Sequence, residues 1–308
     1  MANIHSQLPF FLELSATYDS AFEATQTWSD KVCTVIPTSG RALATAWIEQ
    51  TPALREWVGP RVIHSPAFRD QYITVKNYEA AVGVKKWDVA DDIIGVYVPT
   101  TKNLAANAAK WQDRELAAMI LANAVTWDGV AFFDASHPVN LDDAGAGTYS
   151  NVDTNATDIF SAIQKAFTAM TARVGANGQL LNVAPTKMLY APAQHTAVIQ
   201  ALKGLVTANM AGNNNMALAA TVLNPWAGII EPIMIPEFAG APKDLIFIDD
   251  TKGVSPFVFA LRQAPEMAQL TSATDMTVFM DALYVYGVEA RGTAATSLPF
   301  LAHKVTLT

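Results

Sequence analysis

One cysteine, Cys33, stands in a chain of 308 residues, so no intrachain disulfide can form and a cysteine-built zinc centre is excluded. Charge is scarce as well. Asp, Glu, Lys and Arg make up 16% of the chain, against roughly a quarter in an ordinary soluble domain. No apolar run approaches the roughly 20 residues of a membrane-spanning helix. The short run LPFFLELSA at residues 8–16 lacks a basic leading region and contains Glu13, so it does not read as a secretory signal. These absences predict a protein made and used in a reducing cytoplasm, away from membranes.

Catalytic signatures are missing too. LIFIDD at residues 245–250 has the outline of a strand that ends in a magnesium-holding acid, but no GxxxxGK[ST] occurs to cradle phosphates. It reads as a strand that ends in solvated Asp249 and Asp250. Asp134 and His137 lie close in one loop, with Asp142 and Asp143 nearby. Two ligands are too few for a metal, so a hydrogen bond that fixes the loop is expected. The other histidines, His5, His64, His195 and His303, are scattered without HExxH spacing. No GxSxG frames Ser39, Ser136 or Ser255. A hydrolase built on Asp134, His137 and Asp142 is the rival reading from the enzyme class; the expectation is no catalytic residue, no metal and no cofactor.

Hydrophobic residues are abundant, at 51%, enough for a sizeable core. Together with the low charge they point to a surface covered by neighbours, hence an oligomer, although alanine content alone also raises this fraction. The net charge of −8 argues against a free-standing nucleic-acid binder that neutralises many phosphates.

Along the chain, residues 1–50 read as helical pieces, with Phe10, Leu14 and Tyr18 at helical spacing and a turn at Pro37, Ser39 and Gly40 before ALATAWIEQ. From Val62 to Val89 the period changes to two. Tyr72, Thr74, Lys76 and Tyr78 alternate with Ile73, Val75 and Asn77, predicting a long two-stranded ribbon. Such a ribbon is marginal alone, so Ile73 and Val75 are expected to need a partner surface from a neighbouring subunit or from the domain's own sheet. Residues 100–127 read as one long helix, with Leu104, Ala108, Trp111 and Glu115 on one stripe and Leu116, Met119, Ile120 and Asn123 on the next. A second helix is predicted over residues 153–174, strands over 182–191, 228–238 and 245–250, and a long returning segment over 277–291.

Three pieces carry a resemblance: EWVGPR at residues 56–61, Asp91 and Asp92 before IIGVY, and WDGVAFFDASHPV at residues 127–139. In this order and spacing the chain resembles the Mu-like phage major head subunit family, with its Hong Kong 97-type fold. The resemblance implies an α+β chain divided into an N-terminal arm (1–50), an extended hairpin loop (51–90), a peripheral domain with the spine helix (91–177 and 273–308) and an axial domain (178–272). It implies a major capsid protein of the virion, assembled in the host bacterial cytoplasm as hexamers and pentamers that close into an icosahedral shell around double-stranded DNA. Portal, scaffold and decoration proteins would be its partners. An acidic inner wall would enclose DNA without adhering to it, though acidity also serves plain solubility. An encapsulin-like nanocompartment shell is the alternative within the same fold.

The candidate intersubunit contacts are Trp57, Arg61, Arg69, Asp70, Tyr72, Lys76, Tyr78, Glu79 and Lys85. Trp57 beside a Gly-Pro turn suits an anchor in a partner pocket and equally a buried core tryptophan. The charged residues spread both signs along the hairpin, as residues that set register between subunits do.

Overall fold

A computed structural model describes residues 8–48, 56, 59, 68–90, 97–203, 206–208, 220–222, 225–272 and 274–308. Helix α1 (Leu8–Ala24) leads to strands β1 (Cys33–Pro37), β2 (Ala42–Ile48), β3 (Phe68–Thr74) and β4 (Lys76–Lys85). Helices α2 (Tyr97–Ala109) and α3 (Trp111–Ala122) follow, then β5 (Val152–Ala156), α4 (Ile159–Thr171), β6 (Lys187–Tyr190) and α5 (His195–Lys203). The chain continues through β7 (Glu231–Met234), β8 (Asp244–Ile248), β9 (Phe257–Leu270), α6 (Met276–Asp281), β10 (Leu283–Thr296) and β11 (Ala302–Leu307).

Two sheets organise the body. The first runs β1-β9-β10-β4, with β1 parallel to β9 and the other pairs antiparallel. The second runs β7-β6-β8-β11-β5 and is mixed. In β10 the buried residues Tyr284, Tyr286, Val288 and Ala290 alternate with more exposed ones, the period of a sheet with one face on a core. That face meets Leu14 and Tyr18 of α1 and Leu104 of α2. β8 is apolar at successive positions for a different reason. Leu245 and Phe247 pack with Ile163 and Met170 of α4, while Ile246 and Ile248 pack with Leu116 and Ile120 of α3. A strand covered on both sides has no polar face to show.

The expected single long helix is two, with a break at Lys110. Backbone bonds from Lys110 to Ala106 and from Arg114 to Lys110, both 3.1 Å, carry the rod across the break. α2 lies on the first sheet, whereas α3 lies between the two, with Trp111 against the first and Leu116 and Ile120 against the second. The rod ends at Asn123 and not at Trp127. Asn123 is left-handed, with φ 46°, a conformation that asparagine tolerates at a helix C-terminus. Its side chain also holds the next loop, accepting from Phe133 N–H at 2.7 Å and donating to Phe133 C=O at 3.1 Å. Trp111, at the start of α3, presses on the first sheet where Gly292 leaves room. A Cβ at 292 would lie 2.6 Å from Phe259 and 2.9 Å from both Trp111 and the Ala260 carbonyl oxygen.

Three expectations on chain organisation are corrected by the pairing. Residues 42–48 form a strand, so the ribbon is β2 with β3, in register from Ala42↔Thr74 to Ile48↔Phe68. The second half of the predicted ribbon, β4, instead belongs to the first sheet, on β10. Strand β9 runs in the first sheet, and β11 and β5 in the second. The helix expected over 153–174 starts at Ile159, because residues 152–156 pair with β11 and Asp158 caps the helix through Ser161 N–H at 2.7 Å.

Candidate assembly surface

The ribbon leaves the body at Arg41 and returns at Val75, where the Val75 N–H donates to the Arg41 carbonyl at 3.0 Å. Adjacent side chains on β3 point opposite ways. Ile73 is buried with Val258 and Ala260 of the first sheet, beside Leu43 and Trp127, whereas Tyr72 is 76% exposed. The partner surface for Ile73 is therefore the subunit's own core; no neighbour is required at the ribbon's base.

The nine candidate contacts separate into three groups. Trp57 and Arg61, like Asp91 and Asp92, lie outside the described residues. Arg69, Asp70 and Tyr72 stand on β3, opposite Trp47, Ala46 and Ala44. Lys76, Tyr78, Glu79 and Lys85 stand on β4, opposite Gly292, Ala290, Glu289 and Leu283. Lys76 Nζ is 3.8 Å from Glu115 on α3. The Tyr78 ring packs 5.1 Å from Trp111, and burial, with Glu115 beside it, raises its phenol above the usual range. Glu79 faces Glu289, which in turn faces Glu266. Three like charges in register across three strands oppose one another; one row along, Arg291 Nε donates to Asn77 at 2.7 Å.

The loop that follows the rod is fixed from inside. His137 is buried; its Nδ1 is 2.6 Å from Asp128 Oδ2 and its Nε2 is 3.1 Å from the Phe132 carbonyl oxygen. Burial alone would raise the Asp128 pKa, but hydrogen bonds from His137 and Thr126 outweigh it and hold the carboxyl below its usual range. The hydrogen bond expected to fix this loop exists, and its acceptor is Asp128 where Asp134 was the candidate. Asp134 accepts from Ser136, N–H at 2.9 Å and hydroxyl at 2.6 Å. Tyr149 stacks on His137, with centroids 5.2 Å apart, and Arg173 lies 5.4 Å from the same ring. Arg173 then donates to His303 Nδ1 at 2.9 Å, and His303 Nε2 donates to Asp153 at 2.9 Å. Sequence reasoning missed Arg173, Tyr149 and Asp153, which carry no motif and stand far apart in the chain.

Asp249 is a further correction. It is buried where solvation was expected, accepting from Ala184 N–H at 3.1 Å and from Thr251 N–H at 2.8 Å. Asp250 pairs with Lys187 at 2.5 Å. Both acids thus close loops around the end of β8. Among the described residues no group of three or more His, Cys, Asp or Glu is placed to hold a metal ion, and no helix is long and apolar enough to cross a membrane.

The family model described as Mu-like prophage major head subunit gpT matches residues 9–162 and 237–308. The chain belongs to that family. It is a major head subunit, a structural capsid protein and hence a component of the virion. It is 22% identical over 311 residues to the Mu-like prophage FluMu major head subunit of Haemophilus influenzae, an alignment that spans 99% of this chain and 75% of the relative. It is 34% identical over 122 residues to the major capsid protein of Escherichia phage Mu, spanning 38% of this chain and 40% of that protein. The fold of this head subunit is that of phage capsid proteins. The procapsid of bacteriophage JBD30 matches with a TM-score of 0.56 at 22% identity, over 97% of this chain and 76% of the other. The virus-like particle from Pyrococcus furiosus shares the fold with a TM-score of 0.55 at 10% identity, over 96% and 99% of the two chains.

Proposed function

We propose that copies of this head subunit close into an icosahedral shell of hexamers and pentamers around double-stranded DNA, in the cytoplasm of the host bacterium. The observation that carries this reading is the ribbon β2–β3. Its base is anchored by Ile73 while Tyr72 faces solvent, which is how a clasp on a neighbouring subunit would be built. In this reading Trp57, Arg61, Arg69, Asp70 and Tyr72 belong to the clasp. Lys76, Tyr78, Glu79 and Lys85 belong to the surface that receives a neighbour's. The peripheral domain is the first sheet with α1 and α2, the axial domain the second sheet with α4 and α5, and α3 ties them together. Each contact is weak, an exposed ion pair being worth about 0–1 kcal/mol, and heterologous contacts repeated around an axis close into rings.

The subunit catalyses no reaction in this reading, and the net charge of −8 keeps packed DNA from adhering to the wall. A portal, a scaffold and a decoration protein complete the head; the JBD30 capsid is decorated with minor capsid protein trimers. Negative-stain microscopy of the purified full-length protein, with measurement of nucleic acid in the particles, tests the proposal. Closed shells that take up DNA are expected. Replacing residues 49–67 by a short glycine linker, which spares Ile73 and β4, should leave rings or single capsomers. Normal closed heads from that variant would refute the clasp, and shells filled with protein cargo in place of DNA would favour a nanocompartment.

A further inference from the structure

We propose that Asn177 is a site of spontaneous chemical modification, at which the chain gives up the side-chain amide as ammonia and becomes aspartate or isoaspartate. The observation behind it is that the fold builds the same hairpin tip twice. In the first, Val125 bridges Ala131, the Thr126 N–H donates to the Val130 carbonyl at 2.8 Å, and the Gly129 N–H donates to the Thr126 carbonyl at 3.1 Å. In the second, Val174 bridges Leu180, and the Gly175 N–H to the Gln179 carbonyl and the Gly178 N–H to the Gly175 carbonyl both donate at 2.8 Å. Each tip turns on a glycine with positive φ, 82° at Gly129 and 72° at Gly178. Before the glycine stands Asp128 in one and Asn177 in the other. The side-chain oxygen of each accepts from the second N–H along, Val130 for Asp128 at 3.2 Å and Gln179 for Asn177 at 3.0 Å.

This geometry folds the side chain back over the peptide nitrogen of the glycine that follows. Approach is unhindered, since nothing lies within 4 Å of where a Cβ would stand on Gly178. The Gly178 nitrogen bonds to the side-chain carbonyl carbon of Asn177 and loses its proton to water, while the Gln179 N–H stabilises the charge that builds on Oδ1. The amide nitrogen leaves as ammonia. Water then opens the cyclic imide at either carbonyl, so the net change is one water taken up and one ammonia released. The bond from Gly178 N–H to Gly175 has to open first, and a hairpin tip opens without unfolding the body.

The twin tip is spared by what holds its side chain. Asp128 is buried, with Oδ2 at 2.6 Å from His137 Nδ1, and its carboxyl, held below the usual range, offers no amide to displace. Asn177 is exposed. It begins the one Asn-Gly pair in the sequence; Asn123, Asn151 and Asn182 precede Ala124, Val152 and Val183, whose side chains crowd the attacking nitrogen. Isoaspartate at residue 177 puts an extra carbon into the main chain of the tip. The same hairpin holds Arg173, whose carbonyl accepts from the Leu181 N–H at 2.9 Å and whose guanidinium donates to the Ala302 carbonyl at 3.0 Å and to His303 at 2.9 Å. Conversion therefore loosens a buried arginine.

The test keeps full-length protein for weeks at mildly alkaline pH and digests it in heavy-oxygen water, which marks any change made during digestion. Mass spectrometry and enzymatic methyl labelling of isoaspartate then read each peptide. The peptide that carries residue 177 should shift from the amide to the acid mass several-fold faster than any other asparagine peptide, while residue 128 gains no isoaspartate. Aged wild type should melt below fresh protein, and aged Asn177→Ser should not. An unchanged Asn177, a change that carries only the heavy-oxygen mark, or a rate no faster than at the other asparagines overturns the site. Isoaspartate at residue 128 at an equal rate overturns the protection by His137. Full conversion of Asn177 with unchanged melting overturns its link to Arg173.

Discussion

His137 and Asp128 meet at 2.6 Å with side-chain exposures of 0 and 3%. The other ring nitrogen faces the Phe132 carbonyl oxygen at 3.1 Å. The pair closes residues 123–139 onto the end of the rod. His137→Ala would leave Asp128 buried without its partner, a change that typically costs about 3–5 kcal/mol. The expected result is a clear drop in the urea midpoint at unchanged slope; a midpoint within error of wild type would show that the pair is not needed.

Gly292 is the point where Trp111 reaches the first sheet. A methyl group there collides with Phe259, Trp111 and the Ala260 carbonyl oxygen, and the last is backbone and cannot rotate away. Gly292→Ala is expected to destabilise by about 1–3 kcal/mol or more, read as a lower Tm.

Acid should weaken the fold through His303. Burial and the neighbouring Arg173 lower its pKa from 6.5 to about 4, against the pull of Asp153. The unfolded chain therefore binds a proton that the folded chain refuses, and stability is lost as pH falls from 6.5 towards 4. The loss is on the order of 3 kcal/mol. Measuring unfolding free energy across this range for wild type and His303→Asn checks it; the variant should show a flatter slope.

Ile73 ties the ribbon to the body. Ile73→Ala should cost about 2–4 kcal/mol and raise hydrogen exchange along β2 and β3 before it affects the second sheet. Uniform loss of protection across both sheets would contradict the anchor.

The parts of this molecule that local pattern decides were legible in the sequence. LIFI was read as a strand, and it is continuously apolar because β8 is covered on both sides. The loop-fixing role of His137 was visible from its neighbourhood, though its acceptor was not. What local pattern does not decide was lost. ALATAWIEQ is rich in good helix formers, yet it becomes β2 because Ala42–Ile48 meets Phe68–Thr74 across a long connection. β1 joins its sheet by pairing Cys33–Pro37 with Phe257–Leu261, far along the chain. Arg173 and His303 stand 130 residues apart, and His303 and Asp153 150 apart; no spacing rule reaches so far.

Helix α3 is seated in both cores, with Trp111 on Phe259 and Leu116 beside Ile246. Sliding one sheet past the other would unseat Trp111 from Phe259 or Leu116 from Ile246, so the body responds to load as one stiff plate. When such plates tile a curved wall, the bending has to be taken up at the seams between them. In the proposed reading the ribbon, anchored at Ile73, is the part of this chain that reaches those seams.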